Sequence, residues 1–238
     1  MSWTKKPKIR LVVYLFAAFF FLYALLSNAQ RLGDIFFGKY SSLYNVNLAQ
    51  IFFRYSAYPF TGKAVPYAHY QLSRTYFIQG NLAQALSEIQ KELQLYPNHY
   101  GSYYIMGLTY GYLNQEKDAV EAFSKFIEHE PYSWAARNDK AWLQFRTGDV
   151  DGALITIAPV TFDVNNPWIQ NTYGTLLLNK KKHKEAKRAF LYAQTAAANM
   201  TEESWGKAYP GNDPRVYSTG LRAMRLSIEN NLQLVNLK

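Results

Sequence analysis

An all-α solenoid of stacked antiparallel helix hairpins, behind a single N-terminal transmembrane helix, is the fold class that this sequence predicts. Three observations carry the prediction. Leu11 to Leu26 is a run of sixteen residues whose only polar side-chain atoms are the hydroxyls of Tyr14 and Tyr23. Small, aromatic and proline residues return with a period of 34, which marks an architecture built by repeating one supersecondary unit. Apolar residues make up 49% of the 238 positions and charged residues 18%, an ordinary balance for a chain that buries a core. Sulfur plays no part in holding it: the chain has no cysteine, which excludes disulfides, thiolate metal sites, cysteine nucleophiles and a lipid-modified N-terminal cysteine.

The first element, residues 1–30, is a basic segment followed by the apolar run. At about 1.5 Å rise per residue, the run just reaches across a hydrocarbon layer of roughly 30 Å, at the short end of spanning helices. It has no polar face, which argues against a buried soluble helix. Two fates are open. The run is either a retained anchor, which its Phe-rich composition and length favour, or a signal peptide cut between Ala29 and Gln30, because Ser27 and Ala29 are small residues where signal peptidase needs them. In both cases Lys5, Lys6, Lys8 and Arg10 outnumber Arg31 across the run and stay cytoplasmic. The remainder is then extracytoplasmic, periplasmic or extracellular: a single-pass membrane protein, or a secreted one after cleavage.

Residues 31–65 read as a helical linker or degenerate half-repeat, because NLAQ at 47–50 returns one period on at 81–84, and Pro59 with Gly62 breaks the helix. Four copies of the repeat follow over 66–200, at 66–99, 100–133, 134–166 and 167–200. The first places Leu72, Ser73 and Tyr76 on one helix and Gly80 with Asn81 at a turn, then Ala85, Ile89 and Pro97 on and after a second helix. The second repeats the scheme with Met106, Gly107, Tyr110, Ala119, Phe123 and Pro131. The spacing has a physical reason: Gly107 and Ala119 face each other where two antiparallel helices cross, and larger side chains would push the backbones apart. Phe123 then fills the wedge toward the next copy, and Pro131 ends the second helix. Gly107 and Gly111 form a GxxxG pair that reads here as packing.

The third copy keeps Ala141, Gly148 and Ala153 in register, but Gln144 takes the aromatic position and Pro159 falls inside its second helix, which should kink or end early. The fourth recovers the pattern with Tyr173, Gly174, Leu177, Ala186, Phe190 and Ala193. Residues 201–238 read as a closing region, since the end of a solenoid must cover an apolar face. Asp213 and Pro214 supply a cap and first residue, and Val216, Leu221, Met224, Leu226 and Ile228 an apolar side.

These copies resemble the tetratricopeptide repeat (TPR), which combines an apolar residue, a small one, an aromatic three further on and a closing proline. The resemblance covers roughly residues 66–200. It implies a TPR-type α-solenoid that works by binding other polypeptides. It also implies that the second, fifth, ninth, twelfth and thirteenth positions of each first helix point into a groove. Those positions are Tyr67, Tyr70, Arg74, Phe77 and Ile78 in the first copy, and Tyr104, Leu108 and Tyr112 in the second. The third supplies Asn138, Trp142, Phe145 and Arg146, and the fourth Trp168, Asn171, Thr175 and Leu178. This aromatic surface with a few donors has the composition of a peptide-binding hot spot. The basic and asparagine-rich carboxylate clamp of co-chaperone members is replaced by Tyr70 and Arg74.

The net charge of +9 sits in two places. One is the N-terminal segment; the other is Lys180, Lys181, Lys182, Lys184, Lys187 and Arg188 against Glu185, while 16 Lys or Arg balance 16 Asp or Glu elsewhere. No basic stripe of the kind that binds nucleic acid results. The second cluster falls at a turn between helices and is expected to be a solvated charge run, with an acidic docking surface or anionic lipid headgroups as the sharper readings. His69, His99, His129 and His183 fall at four different repeat positions, so no metal set is assembled. No phosphate loop, nucleophile elbow or zinc-binding helix motif is present. The expectation is a non-enzymatic, cofactor-free protein–protein interaction scaffold at a membrane, serving an envelope or secretion complex. The alternative is a stoichiometric integral subunit of one stable membrane complex.

Overall fold

The computed structural model of the chain describes residues 7–38, 42–60, 62–209 and 217–236, and among these it is helical, without strands. Two compact units divide it, 1–75 and 76–238.

In the first unit, helix α1 (Pro7–Ser27) contains the stretch Ile9–Ser27, long and apolar enough to cross a membrane and with none of it buried in the fold. Leu15, Phe16, Phe19, Phe20 and Phe21 point outward on all sides, which suits a lipid environment. Helices α2 (Ala29–Phe37) and α3 (Val46–Ala57) pair as an antiparallel hairpin. Asn45 caps α3 by accepting the Leu48 N–H at 3.1 Å. The Phe53 ring lies so close over Gly33 that a Cβ there would collide with it. Ala49, four residues before Phe53, is fully buried. Where a helical linker or degenerate half-repeat was expected, α2 and α3 form a small-residue-against-aromatic hairpin. The NLAQ echo is out of register: Ala49 precedes buried Phe53 by four residues as Ala85 precedes buried Ile89, so its structural counterpart is Ala85 and not Ala83. Helix α4 (Ala68–Ile78) begins in this unit.

The second unit continues with α5 (Leu82–Leu95), α6 (Tyr100–Tyr112), α7 (Glu116–His129), α8 (Trp134–Arg146), α9 (Val150–Ile157), α10 (Pro167–Asn179) and α11 (His183–Ala198). Successive helices pair as hairpins, α6 with α7, α8 with α9 and α10 with α11, and the hairpins stack so that α6, α8 and α10 stand side by side. At Gly107 a Cβ would approach the Phe123 ring to 3.0 Å, and at Gly174 it would overlap Phe190. Close approach therefore selects glycine at these two crossings.

The helix-to-helix turn is the most regular feature. Its left-handed residue is Gly80 (φ +78), Asn114 (φ +56), Gly148 (φ +87) and Lys181 (φ +59) in successive copies. The same closing bond forms each time: Asn81 N–H to Tyr76 C=O at 2.9 Å, Gln115 to Tyr110 at 2.9 Å, Asp149 to Gln144 at 2.8 Å and Lys182 to Leu177 at 2.9 Å. This is the Schellman closure, which satisfies the last carbonyls of the preceding helix. A side chain is strained in that conformation and glycine is not. Lys181→Gly is therefore expected to raise stability by about 0.5–1 kcal/mol, read as a higher urea midpoint with an unchanged slope.

In the third copy, α9 ends at Ile157 and passes into a 3-10 turn over Ala158–Val160, because Pro159 cannot continue the helix. Gln144, where the other copies carry an aromatic or leucine, bonds Asp149 at 3.0 Å through its amide and accepts the Thr156 hydroxyl at 2.7 Å. A polar link takes over there from ring packing.

Helices α12 (Glu202–Ala208) and α13 (Tyr217–Asn236) close the unit. Leu221, Ile228, Leu232 and Val235 are buried; the last three join the core around Phe190, Ala193 and Ala197. Leu226, expected on the apolar side, faces solvent, because it lies two positions from Ile228 and so on the opposite side of the helix. Arg225 donates to the carbonyls of Ala197 (2.9 and 3.1 Å) and Met200 (2.9 Å), capping the end of α11 with a cation where the helix dipole is negative. The expected cap at Asp213 and Pro214, and Val216, lie outside the described residues.

Candidate functional site

The residues expected to line a groove do not share one environment. In the first unit Tyr67 precedes α4 in a left-handed turn (φ +64) and is exposed, so it is not on the helix where the repeat pattern placed it. Tyr70 and Arg74 lie on α4. The Arg74 guanidinium sits over the Phe37 ring at 4.7 Å and the Tyr70 ring at 5.5 Å, and donates to Gln71 at 2.7 Å. These contacts hold Arg74 within its own unit.

In the second unit, α6, α8 and α10 form a wall. Phe77 meets Tyr112 edge-on at 5.4 Å. Tyr112 and Trp142 are 69% and 44% exposed, large apolar surfaces for residues of a packed wall. Between α6 and α8 lies a cavity of about 350 Å³ lined by Leu108, Tyr112, Asp139, Trp142, Leu143 and Arg146, with Gly107 and Gly111 at its floor. Arg146 at its rim pairs with Glu116 at 2.9 Å.

Tyr104 differs from the expectation. It is buried, its ring packed against Phe123 and Phe126, and only its hydroxyl reaches the wall, donating to Asp139 Oδ2 at 3.3 Å. Asn138 is also buried; its carbonyl accepts the Thr172 hydroxyl at 2.8 Å and its amide donates to the Tyr209 hydroxyl at 3.4 Å. Asn171 accepts from Asn231 of α13 at 3.0 Å, and Thr175 bonds the Asn171 carbonyl at 2.9 Å. This end of the wall is thus covered by the chain's own C-terminal region. Chain proximity brings the cover there: α12 follows α11 directly, and Trp205 and Tyr209 meet Trp134 and Trp168 in the first turns of α8 and α10.

The centre of that cover is Tyr209. Its hydroxyl donates to Asp139 Oδ1, its ring stands edge-on to Trp134 at 5.1 Å and leans on Trp168 at 5.6 Å, and Trp205 one turn earlier stacks on Trp168 at 6.1 Å. Withdrawal from water raises the Asp139 carboxyl from 3.8 to about 7, against the lowering effect of the two tyrosine hydroxyls. The Tyr209 hydroxyl is pushed well above its ordinary range by burial and by the neighbouring carboxyl. Burial thus disfavours the charge on both groups, and the two hydroxyls that donate to the carboxyl oppose that shift at Asp139.

Neither Asp139 nor Tyr209 is among the positions that the repeat pattern assigns to the groove. Asp139 lies one position beyond Asn138, outside the groove set. For Tyr209 the signal was local: Thr201 and Ser204 form a capping box, each side chain accepting the other's backbone N–H at 3.0 and 2.9 Å. A helix start there sets Trp205 and Tyr209 on one face, four residues apart.

In the basic cluster Lys180, Lys181, Lys182, Lys184, Lys187 and Arg188 are all exposed, while Ala186, Ala189 and Phe190 turn inward. Lys180 pairs with Asp151 at 2.8 Å.

Comparison with known families matches residues 66–99 and 100–132 to tetratricopeptide-repeat models. Residues 66–132 are therefore tetratricopeptide repeats. Solved structures agree in fold. MamA from Desulfovibrio magneticus RS-1, residue 41 to its end, superposes with a TM-score of 0.63 at 16% identity over 74% of this chain and 96% of that one. A MamA double mutant, designated RS-1 ArsTM, gives a TM-score of 0.63 at 17% identity, covering 73% and 94%. TTC0263, a thermophilic TPR protein of Thermus thermophilus, gives 0.57 at 17% identity over 86% and 98%. Comparison with the curated proteins finds no match. The matched repeats support a protein–protein interaction scaffold.

Proposed function

We propose that this TPR protein is anchored in a membrane by α1, with its repeats outside the cytoplasm, where it holds a partner polypeptide against the wall of α6, α8 and α10 during assembly or organisation of an envelope or secretion complex. The observation that carries the reading is the cavity between α6 and α8: a concave, largely apolar space flanked by exposed Tyr112 and Trp142 with Arg146 at its rim. Tyr, Trp and Arg are enriched among the few residues that dominate binding at protein interfaces, and this trio stands around a pocket that can seat an apolar side chain. Anchoring is supported by the apolar, unburied surface of Ile9–Ser27 and by Arg10 at its N-terminal end. Tyr23 and Leu26 of its last turns also line a cavity of about 600 Å³ with Tyr55 and Lys63 of the same unit, which supports a helix retained as part of the fold.

A photoreactive residue at Leu108, in cells expressing the full chain, is expected to yield a discrete crosslinked species that disappears when Tyr112 and Trp142 are both changed to alanine. Protease added to the outside of spheroplasts should cut the repeats. No adduct at residue 108, or adducts indifferent to the double substitution, would remove the wall from the proposal; repeats that resist protease until the cells are lysed would reverse the topology.

A further inference from the structure

The segment that covers the far end of the wall behaves, in its contacts, as a ligand. It is short, 201–209, and it meets the wall through Trp205 and Tyr209, while the Trp205 ring also lies close over Gly220 of α13. Its tyrosine is read in detail: ring against Trp134 and Trp168, hydroxyl shared between Asn138 and Asp139, with the Tyr104 hydroxyl on the carboxylate's other oxygen. Asn138 and Tyr104 occupy the fifth position of their first helices, which the repeat pattern assigns to partner contact. Asp139 also lines the open cavity beside Leu108 and Trp142. The occupied and the vacant parts of the wall therefore meet at one carboxyl.

We infer that 201–209 is an internal stand-in for the partner, and that the wall accepts a polypeptide whose tyrosine enters between Trp134, Trp168, Tyr104 and Asp139 in place of Tyr209. The inference rests on the reading of the wall as a peptide-holding surface and names what that surface selects. The Asp139 oxygen that accepts the tyrosine hydroxyl loses that bond when the hydroxyl is missing, so a site built around Asp139 discriminates against a side chain that lacks it. Phenylalanine would fill the same aromatic slot and leave Asp139 and Asn138 short of one bond. A tyrosine-bearing partner reproduces the contacts of Tyr209 with Trp134, Trp168, Asn138 and Asp139 and continues into the cavity, which 201–209 does not line.

The test uses the full chain in detergent micelles and a fluorescent synthetic peptide of residues 199–209 with an amidated end. Tyr209→Ala is expected to bind this peptide about 10-fold or more tightly than the unchanged chain, whose own segment competes for the site. A peptide with phenylalanine for the tyrosine should bind about 10-fold more weakly, the cost of one buried hydrogen bond. Equal binding by Tyr209→Ala and the unchanged chain, equal binding of the two peptides, or no binding to a variant with intact helicity overturns the inference. Should Tyr209→Ala lose helicity, hydrogen exchange of the unchanged chain decides. Amides of 202–208 must then exchange much faster than those of α11, and protection equal to the core would show a segment that never leaves. The titration involves no cellular partner, so its failure is distinguishable from a failure of the crosslinks at Leu108.

Discussion

Phe190→Ala is expected to destabilise the second unit by about 3–5 kcal/mol, the usual cost of emptying a fully buried aromatic site. The ring has no exposed surface; it lies over Gly174 and packs with Leu177, Ala186, Ala193 and Ala197 of its own hairpin and with Ile228 and Leu232 of α13. Its loss opens a cavity at the junction of the last repeat with the closing helix, and backbones held apart by hairpin turns at one end cannot collapse to fill it. Because a whole repeat array is stabilised by nearest-neighbour contacts, the damage should appear first at the C-terminal end. Urea denaturation of the full chain in micelles, followed by circular dichroism, measures the change. Hydrogen exchange should show α11 and α13 losing protection before α6 and α7. A loss below about 1 kcal/mol, or uniform loss of protection, would contradict this account of the core.

The second large effect contrasts two glycines of one helix. Gly107→Leu is expected to cost about 1–3 kcal/mol or more, because the added Cβ alone would stand 3.0 Å from three carbons of the Phe123 ring and three further carbons have no space beyond it. Gly111→Ala, one turn on, should instead raise stability by up to about 1 kcal/mol: its Cβ would meet only Leu143, at 3.8 and 4.0 Å, an ordinary contact, and alanine is the better helix former. The urea midpoints of the two variants should therefore move in opposite directions. If both glycines behave alike, the sequence reading of Gly107 and Gly111 as an equivalent pair is right and the crossing geometry is not what selects glycine at 107.

The 34-residue recurrence was legible because it is imposed by hard-sphere packing. Small residues must stand where helices cross, so the recurrence of Gly107 and Gly174, and of Phe123 and Phe190, is visible as spacing. That each ring lies over the glycine of its own hairpin, where Ala119 was expected to face Gly107 and Phe123 to fill the wedge toward the next copy, is seen only in the structure. Pro159 likewise ends α9 by a local rule. The turns were legible only in part: glycine at 80 and 148 announces a left-handed residue, but Asn114 and Lys181 adopt the same conformation without the glycine that would announce it. The hairpin of α2 and α3 was hidden by a loop of different length, which moved Gly33 and Phe53 out of the period.

What could be read from spacing and composition was the helical repeat, its small-to-aromatic contacts and a terminal apolar helix, since each follows from neighbours in the chain and from the periodicity of one helix. Which faces of that array are free was settled in space. Tyr104 obeys the periodicity and is nonetheless buried, Leu226 was assigned to a core it does not enter, and Asp139 draws its chemistry from Tyr209, seventy residues away. Contacts of that range depend on where a returning segment lands, and no local pattern encodes the landing point.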